Sequence, residues 1–567
     1  MNKIYKRTLS WLVMGSLSAC GGSDNTPPAT AAATQTVTLS CAQLVNMKIA
    51  AASIGLPTSG AIITGTKVVP ASGTGAGAVG EYCLASGSIM PVDAAAPNIQ
   101  FQLALPATWN SKVAMFGGGG YDGTIPDVTG SGTPNAAGAA TPLARGYAVF
   151  ASDSGHQEEK LPSPGAFFLN REAGANFMGD ALKKTRDAAL QVVQAAYGSL
   201  PRKAYFMGGS NGGREALVIG AVWPADWDGI VALYPARPVT NLMLGFIHSS
   251  RALAAPGAYL SRAKRGALYQ AALAACDAQD GASDGIISDE KKCGATFDPA
   301  SALLNGVPLR CAGGVDSGDN CLSDAQLAAL ATLNSPFSFN FSLASRETSF
   351  PGYNAYTTDW GAPGDSPIQT AIASIGFGTK APGFPFTPDM TPMAYFADGL
   401  ARFAVVQDAS FNYLSMDPVN PGPYASQISQ MSTVDARDNA MGAFAAKGGK
   451  LLIMHGTSDT IIPSRGSESY VQGLQSTLGL STVDAFLRFY LVPGFSHGVG
   501  GFTVAWDYLT ALENWAEKGI DPKSNQVIMD ASGVPGRTRP LCIYPTWAKY
   551  MGSGDVNSAA SFTCVTR

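Results

Sequence analysis

Ala204-Tyr205-Phe206-Met207-Gly208-Gly209-Ser210-Asn211-Gly212-Gly213 is the stretch on which the fold turns. Residues 204–207 form a short apolar and aromatic run suited to a buried strand, the centre fits G-x-S-x-G, and a helical pattern opens near Gly213. A serine on so tight a strand-to-helix turn sits in a strained backbone conformation. Side chains beside it would collide with neighbouring elements, so the flanking glycines meet a steric need. With 65 glycines in the chain, the motif alone arises readily by chance. Strand before and helix after give it weight and make Ser210 a candidate nucleophile.

Outward from this turn, residues 98–236 alternate short apolar runs with helical patterns. Strands are expected at 113–116, 147–152, 204–207 and 229–234, with an amphipathic helix over 179–197, and strands spaced by helices imply a mainly parallel sheet. Some two hundred residues rich in Ala, Ser, Pro and aromatics follow without strand alternation. The strand pattern resumes at 450–455 and 486–492. The expected architecture is an α/β-hydrolase fold in two parts, 41–236 and 438–567, with a large lid domain, 237–437, inserted between sheet strands. The 567 residues are more than one compact domain usually holds, which agrees with a large insertion.

A serine hydroxyl needs a histidine base, itself oriented by a carboxylate. The chain has four histidines, at 156, 248, 455 and 497. His497 ends the Gly-rich stretch Pro493-Gly494-Phe495-Ser496-His497 after one expected strand, and Asp459 ends Gly456-Thr457-Ser458-Asp459 after another. Ser210, Asp459 and His497 then fall in the order this fold uses. His455 lies inside the strand leading to Asp459 and reads as a buried structural histidine. His156, in Ser152-Asp153-Ser154-Gly155-His156-Gln157, either lines the pocket or orders its loop. His248 carries no signal. For an oxyanion hole the amide after the nucleophile, Asn211, is one donor. Gly117-Gly118-Gly119-Gly120, after an early strand, supplies the second, through Gly119 or alternatively Gly118.

A net charge of −4 and 14% charged residues leave no basic face for nucleic acid. Lys3, Lys6 and Arg7 followed by a short apolar stretch from Leu9 to Leu17 read as an export signal over residues 1–20, too short to span a bilayer. Leu17-Ser18-Ala19-Cys20 resembles a bacterial lipobox. Cys20 would then carry lipid and residues 21–40 would form a tether, making the anchor the chain's one link to a membrane, at the outer membrane or cell surface. The alternative is an ordinary cleaved signal and a periplasmic or secreted protein. Eight cysteines remain, an even number that suits disulfides in an exported chain. Neighbours in sequence suggest Cys41 with Cys83, Cys276 with Cys293, Cys311 with Cys321, and Cys542 with Cys564.

The motifs together resemble the tannase and feruloyl esterase family. The resemblance rests on Leu105-Pro106-Ala107-Thr108-Trp109-Asn110 before the glycine run, Ser152 to Gln157, Gly208 to Arg214, the segment between Cys276 and Cys293, His455 to Asp459 and Pro493 to His497. It covers nearly the whole mature chain. It implies a serine carboxylic ester hydrolase working through an acyl-enzyme on esters of small, mostly aromatic acids of the hydroxybenzoate, cinnamate, gallate or terephthalate type. Members commonly carry a cysteine just before the serine and another just after the histidine, joined behind the triad. Gly209 and Gly498 stand in those places here, so the two are expected to lie close together.

Cys276-Asp277-Ala278-Gln279-Asp280-Gly281-Ala282-Ser283-Asp284-Gly285-Ile286 places three carboxylates in a glycine-punctuated stretch, and hard oxygen donors suit calcium. Asp-Gly turns also occur without metal. The resemblance implies a structural calcium site in the lid, with Asp277, Asp280 and Asp284 as side-chain ligands and Ala282 and Ile286 as carbonyl ligands. The insertion is rich in aromatics, most of them expected in its own core. Lys380 and Arg402 are its candidates for pairing with a substrate carboxylate, a sparse supply that argues against a specialist for free-carboxylate monoesters. Two rival readings are a prolyl-oligopeptidase-like peptidase, which would need a large N-terminal propeller, and a catalytically silent surface lipoprotein.

Overall fold

The computed structural model describes residues 38–130, 138–437, 440–523, 526–531 and 533–566. The signal, the lipobox cysteine Cys20 and nearly all of the tether lie outside the described residues.

Ten strands form the main sheet: β1 (Lys48–Ile49), β2 (Ala61–Val69), β3 (Tyr82–Ile89), β4 (Ile99–Pro106), β5 (Lys112–Phe116), β6 (Ala148–Ser152), β7 (Lys203–Gly209), β8 (Gly229–Leu233), β9 (Lys450–Gly456) and β10 (Leu487–Val492). Their spatial order is β1-β2-β3-β4-β6-β5-β7-β8-β9-β10. The first four pair antiparallel and β4 meets β6 antiparallel, while every pairing from β6 to β10 is parallel. The parallel half coincides with the runs expected from sequence. It is apolar along its length because helices cover both faces. Alternate residues of each strand enter opposite layers. Val113, Met115, Phe206, Ile230 and Ile453 pack with the helices Ala181–Tyr197, Asn211–Val222 and Ser464–Leu478. Ala114, Phe116, Met207, Val231 and Met454 pack with the helix Tyr508–Lys518.

β1 to β4 occupy the N-terminal region where a peptidase of the rival type would need a propeller, and they extend the main sheet instead. β1 and β2 are partly exposed, whereas β3 and β4 carry no exposed residue, and only the last of the four falls within residues 98–236. Between β8 and β9 the chain adds no strand to the main sheet. Its helices, among them Val239–Ala254, Arg262–Cys276 and Pro392–Gly399, share one apolar core with Tyr121, Phe167, Phe177 and Ile461 of the flanking regions.

Cysteines pair as 41–83, 276–293, 311–321 and 542–564. Disulfides in this number belong to an exported protein folded under oxidising conditions. Among the described residues no helix is long and apolar enough to cross a membrane.

Candidate active site

The parallel strands β7, β9 and β10, with β8 between the first two, end at one edge of the sheet, and the turns after them carry Ser210, Asp459 and His497 to one point. Ser210 sits at φ 59° and ψ −121°, a conformation L-residues rarely adopt. Backbone bonds hold it there: its amide donates to the Leu233 carbonyl at 3.0 Å, and its own carbonyl accepts from Ala236 at 2.9 Å. The glycine requirement is steric. A Cβ on Gly208 would lie 2.3 Å from the Gly212 carbonyl oxygen, and one on Gly212 would lie 2.6 Å from that of Gly118.

His497 Nε2 lies 2.9 Å from Ser210 Oγ, and His497 Nδ1 lies 2.9 Å from Asp459 Oδ2. Asp459 is buried, and its other oxygen accepts the amides of Ile461 and Ile462, each at 2.8 Å. Burial alone would raise its carboxyl; the charge of His497 and hydrogen bonds from both His455 and His497 more than offset this and hold it well below the usual range. His455 Nε2 donates to the Ile462 carbonyl at 2.9 Å, and its Nδ1 lies 2.8 Å from Ser467 Oγ. That histidine is fully buried and supports Asp459 from behind, 3.3 Å from Oδ2. His156 is also buried, stacked on Phe167 at 3.8 Å, and burial pushes its pKa down to about 4.

Asn211 opens its helix, where an amide has no intrahelical partner. Of the two candidate glycines, Gly118 spends its amide on Glu215 Oε2 at 3.1 Å and its carbonyl on the Gly212 amide at 2.9 Å. Gly119 faces open space and lines the same cleft as Ser210.

Cβ atoms on Gly209 and Gly498 would both reach one side chain: Tyr234, at 2.9 Å and 3.6 Å. The two glycines therefore both face the Tyr234 side chain. The Tyr234 ring lies 4.7 Å from the His497 ring, tilted by 57°. Nothing in the sequence around residue 234 points to this contact, which arises only when β8 and the His497 turn meet.

Two spaces adjoin Ser210. A cleft of about 430 Å³ contains His497, Gly119, Tyr234, Asp127 and Tyr508. On the other side a narrow pocket is lined by Tyr121, Phe177, Leu242, Phe246, Phe396 and Ile461 among others, all uncharged. The Tyr121 hydroxyl donates to the Phe396 carbonyl at 2.8 Å, tying the glycine loop to the inserted segment. Neither Lys380 nor Arg402 lines either space. Arg402 pairs with Asp398 at 2.6 Å, and Lys380 is exposed beside Thr387. A larger cleft of about 690 Å³, lined by Arg237, Glu347 and Tyr470, does not include Ser210, so size does not mark the reacting centre.

In the acidic loop, Asp277 accepts the amides of Asp284 and Gly285, at 3.2 Å and 3.1 Å. Asp284 accepts from Ile286 at 3.0 Å and pairs with Arg539. Asp280 accepts from Ala282 at 2.9 Å through one oxygen, and its other oxygen is buried with no hydrogen-bond partner. Burial raises Asp277 and Asp280, and the neighbouring carboxylates raise them further. Among the described residues, no three acidic, histidine or cysteine side chains converge as the ligands of a metal ion would. The orphaned Asp280 oxygen is a hard donor, but the three carboxylates do not meet at one point. Arg539 already meets part of the charge, a partner too far along the chain to be foreseen.

A parallel sheet with serine, aspartate and histidine, in that chain order, on strand-end turns at one edge defines the α/β-hydrolase class. A sequence model described as tannase and feruloyl esterase matches residues 83–565, and the chain belongs to that family of carboxylic ester hydrolases. An esterase of Agrobacterium fabrum is 35% identical over 539 residues, covering 92% of this chain and 92% of its own. The mono(2-hydroxyethyl) terephthalate hydrolase of Piscinibacter sakaiensis is 31% identical over 86% of this chain and 85% of its own. The crystal structure of feruloyl esterase B from Aspergillus oryzae superposes with a TM-score of 0.71 at 21% identity, covering 91% of this chain and 98% of that one, and shows the shared fold.

Proposed function

We propose that Ser210, His497 and Asp459 hydrolyse esters of uncharged, mainly aromatic acids through an acyl-enzyme. The observation that carries this reading is the unbroken relay of two 2.9 Å contacts from Ser210 through His497 to buried Asp459. Ser210 Oγ attacks the ester carbonyl as its proton passes to His497 Nε2. The amides of Asn211 and Gly119 hold the oxyanion. The imidazolium, stabilised by Asp459, then protonates the alkoxide as the ester C–O bond breaks. Water repeats the sequence: it gives a proton to His497, attacks the acyl carbon, and the acid leaves as Ser210 regains its proton.

Because His497 must reach the departing alcohol, the alcohol belongs in the cleft that contains His497, and the acyl group in the pocket that does not. That pocket is apolar and aromatic-lined, and the inserted segment, acting as a lid, closes it. Relatives named for feruloyl and terephthalate esters support aromatic acids. Among the described residues no cation lines the pocket, which supports neutral ones. A fluorophosphonate probe tests the nucleophile: labelling of wild type and none of Ser210→Ala is expected, and equal labelling of both overturns the assignment.

We further propose that calcium, held by the side chains of Asp277, Asp280 and Asp284 and the carbonyls of Ala282 and Ile286, fastens the acidic loop without entering the chemistry. When bound it would supply positive charge to a crowded carboxylate cluster. The lipobox-like stretch supports lipid attachment at Cys20, and metabolic labelling with an alkyne fatty acid, lost in Cys20→Ala, tests it.

A further inference from the structure

Under the glycine loop lies a buried cluster that the mechanism does not use. Asp122, Asn211, Arg214 and Glu215 are all nearly inaccessible to solvent. Glu215 Oε2 accepts the Gly118 amide at 3.1 Å. Asp122 Oδ1 accepts Asn211 Nδ2 at 2.7 Å, and the Asp122 amide donates to the Gly119 carbonyl at 2.8 Å. Arg214 Nε donates to Asn211 Oδ1 at 2.7 Å, and its Nη2 donates to the Phe177 carbonyl at 2.8 Å. Both carboxyls crowd the same two glycines: a Cβ on Gly117 would lie 2.6 Å from Glu215 Oε2 and one on Gly118 would lie 2.8 Å from the Asp122 carboxyl carbon, so two carboxyls and one guanidinium share one buried space.

We propose that Asp122 and Glu215 share one proton and act as a positioning pair, clamping the Gly117–Gly120 loop onto the start of the nucleophile's helix so that Gly119 and Asn211 are held beside Ser210. This rests on Ser210 being the nucleophile. With one proton the cluster is neutral: one guanidinium, one carboxylate and one carboxylic acid. Losing that proton leaves a second buried carboxylate with no matching cation. Burial, then the Asp122 charge, lifts Glu215 well above the ordinary range, and burial lifts Asp122 as well. The other titratable neighbours add no cation. Burial raises Asp153, close to Asp122, to about 7, and His156 is pushed down to about 4. An acid whose pKa is raised by folding stabilises the folded arrangement while protonated and ceases to do so as pH rises through the raised value. The clamp therefore holds below that raised value and loosens as pH rises through it.

Glu215→Gln keeps an oxygen for the Gly118 amide and an N–H for Asp122, but has no proton to lose. Glu215→Ala keeps neither. On a chromogenic benzoate ester, Glu215→Ala should lower kcat roughly tenfold to a hundredfold with KM changed less than about threefold, a part of what loss of an oxyanion donor costs. Glu215→Gln should recover most of that loss and lose the alkaline fall in kcat that wild type shows. A folded Glu215→Ala with kcat within about threefold of wild type, or a Glu215→Gln with the wild-type alkaline limb, overturns the proposal; if Glu215→Ala does not fold, the alkaline limb of Glu215→Gln decides. Ser210→Ala in parallel separates the premises: its activity would overturn the nucleophile assignment, whereas an inactive Ser210→Ala beside an unaltered Glu215→Gln limb overturns the clamp alone.

Discussion

The turns after β7, β9 and β10 and the segment inserted between β8 and β9 meet at Ser210 but are built differently. On the strand-end side, main-chain bonds hold each key residue: Ser210 through Leu233 and Ala236, and Asp459 through the amides of Ile461 and Ile462. On the inserted side, the pocket wall is side-chain surface from Val239, Leu242, Phe246, Phe396 and Leu400. Backbone-held groups are placed to tenths of an ångström by the sheet register, which suits chemistry. A wall of packed side chains can change shape with each substitution, which suits substrate choice.

If the division holds, the largest effect belongs to the strand-end side. Ser210→Ala should abolish turnover with the fold intact, on the order of a millionfold by the behaviour of a triad acting as a unit, and His497→Ala should be nearly as severe. His455→Ala should cost far less activity and more stability, since His455 braces Asp459 within the core. A folded His455→Ala slower than His497→Ala would exchange their roles. The inserted side predicts selectivity instead. A 4-carboxybenzoate ester should show kcat/KM at least about a hundredfold below the matching benzoate ester, because a carboxylate would enter the pocket with no partner. Comparable rates would mean that a cation reaches the acyl group.

Tyr234 joins the two regions. Tyr234→Ala should remove the ring behind His497 and lower kcat about tenfold, while Tyr234→Phe keeps the ring and most of the rate. Equal kcat for wild type and the alanine variant would show that the tyrosine only fills space. The smallest effect is expected at the acidic loop: calcium should raise the melting temperature of chelated protein by about 2–4 °C per kcal/mol of stabilisation or less, and Asp280→Ala should erase the rise. Arg539 already pairs with Asp284, so a modest response is expected. Identical wild-type melting in chelator and in calcium, with the chelated sample verified metal-free, removes the site.

Much of the strand-end side was readable in the chain itself. Ser210 stands where a strand pattern meets a helix pattern across glycines, and Asp459 and His497 each follow a strand run, because parallel strands must end near one another and their turns must share an edge. The cysteine pairs likewise join neighbours in sequence. β1 to β3 give a weaker signal because β2 is interrupted by exposed positions and β3 by the small residues Ala85, Ser86, Gly87 and Ser88, unlike the apolar runs of the buried parallel strands.

What the sequence by itself determined, then, was the local chemistry: a nucleophile on a turn, an ordered set of partners, a loop of glycines. Tertiary structure alone decided which distant side chains share a volume. It set the Tyr234 side chain before Gly209 and Gly498, Arg539 against Asp284, and Glu215 and Asp122 under Gly118. Periodicity and turn residues report conformation within a few positions along the chain. Contacts between residues tens to hundreds of positions apart depend on how whole elements pack, and nothing in either partner's neighbourhood encodes the other.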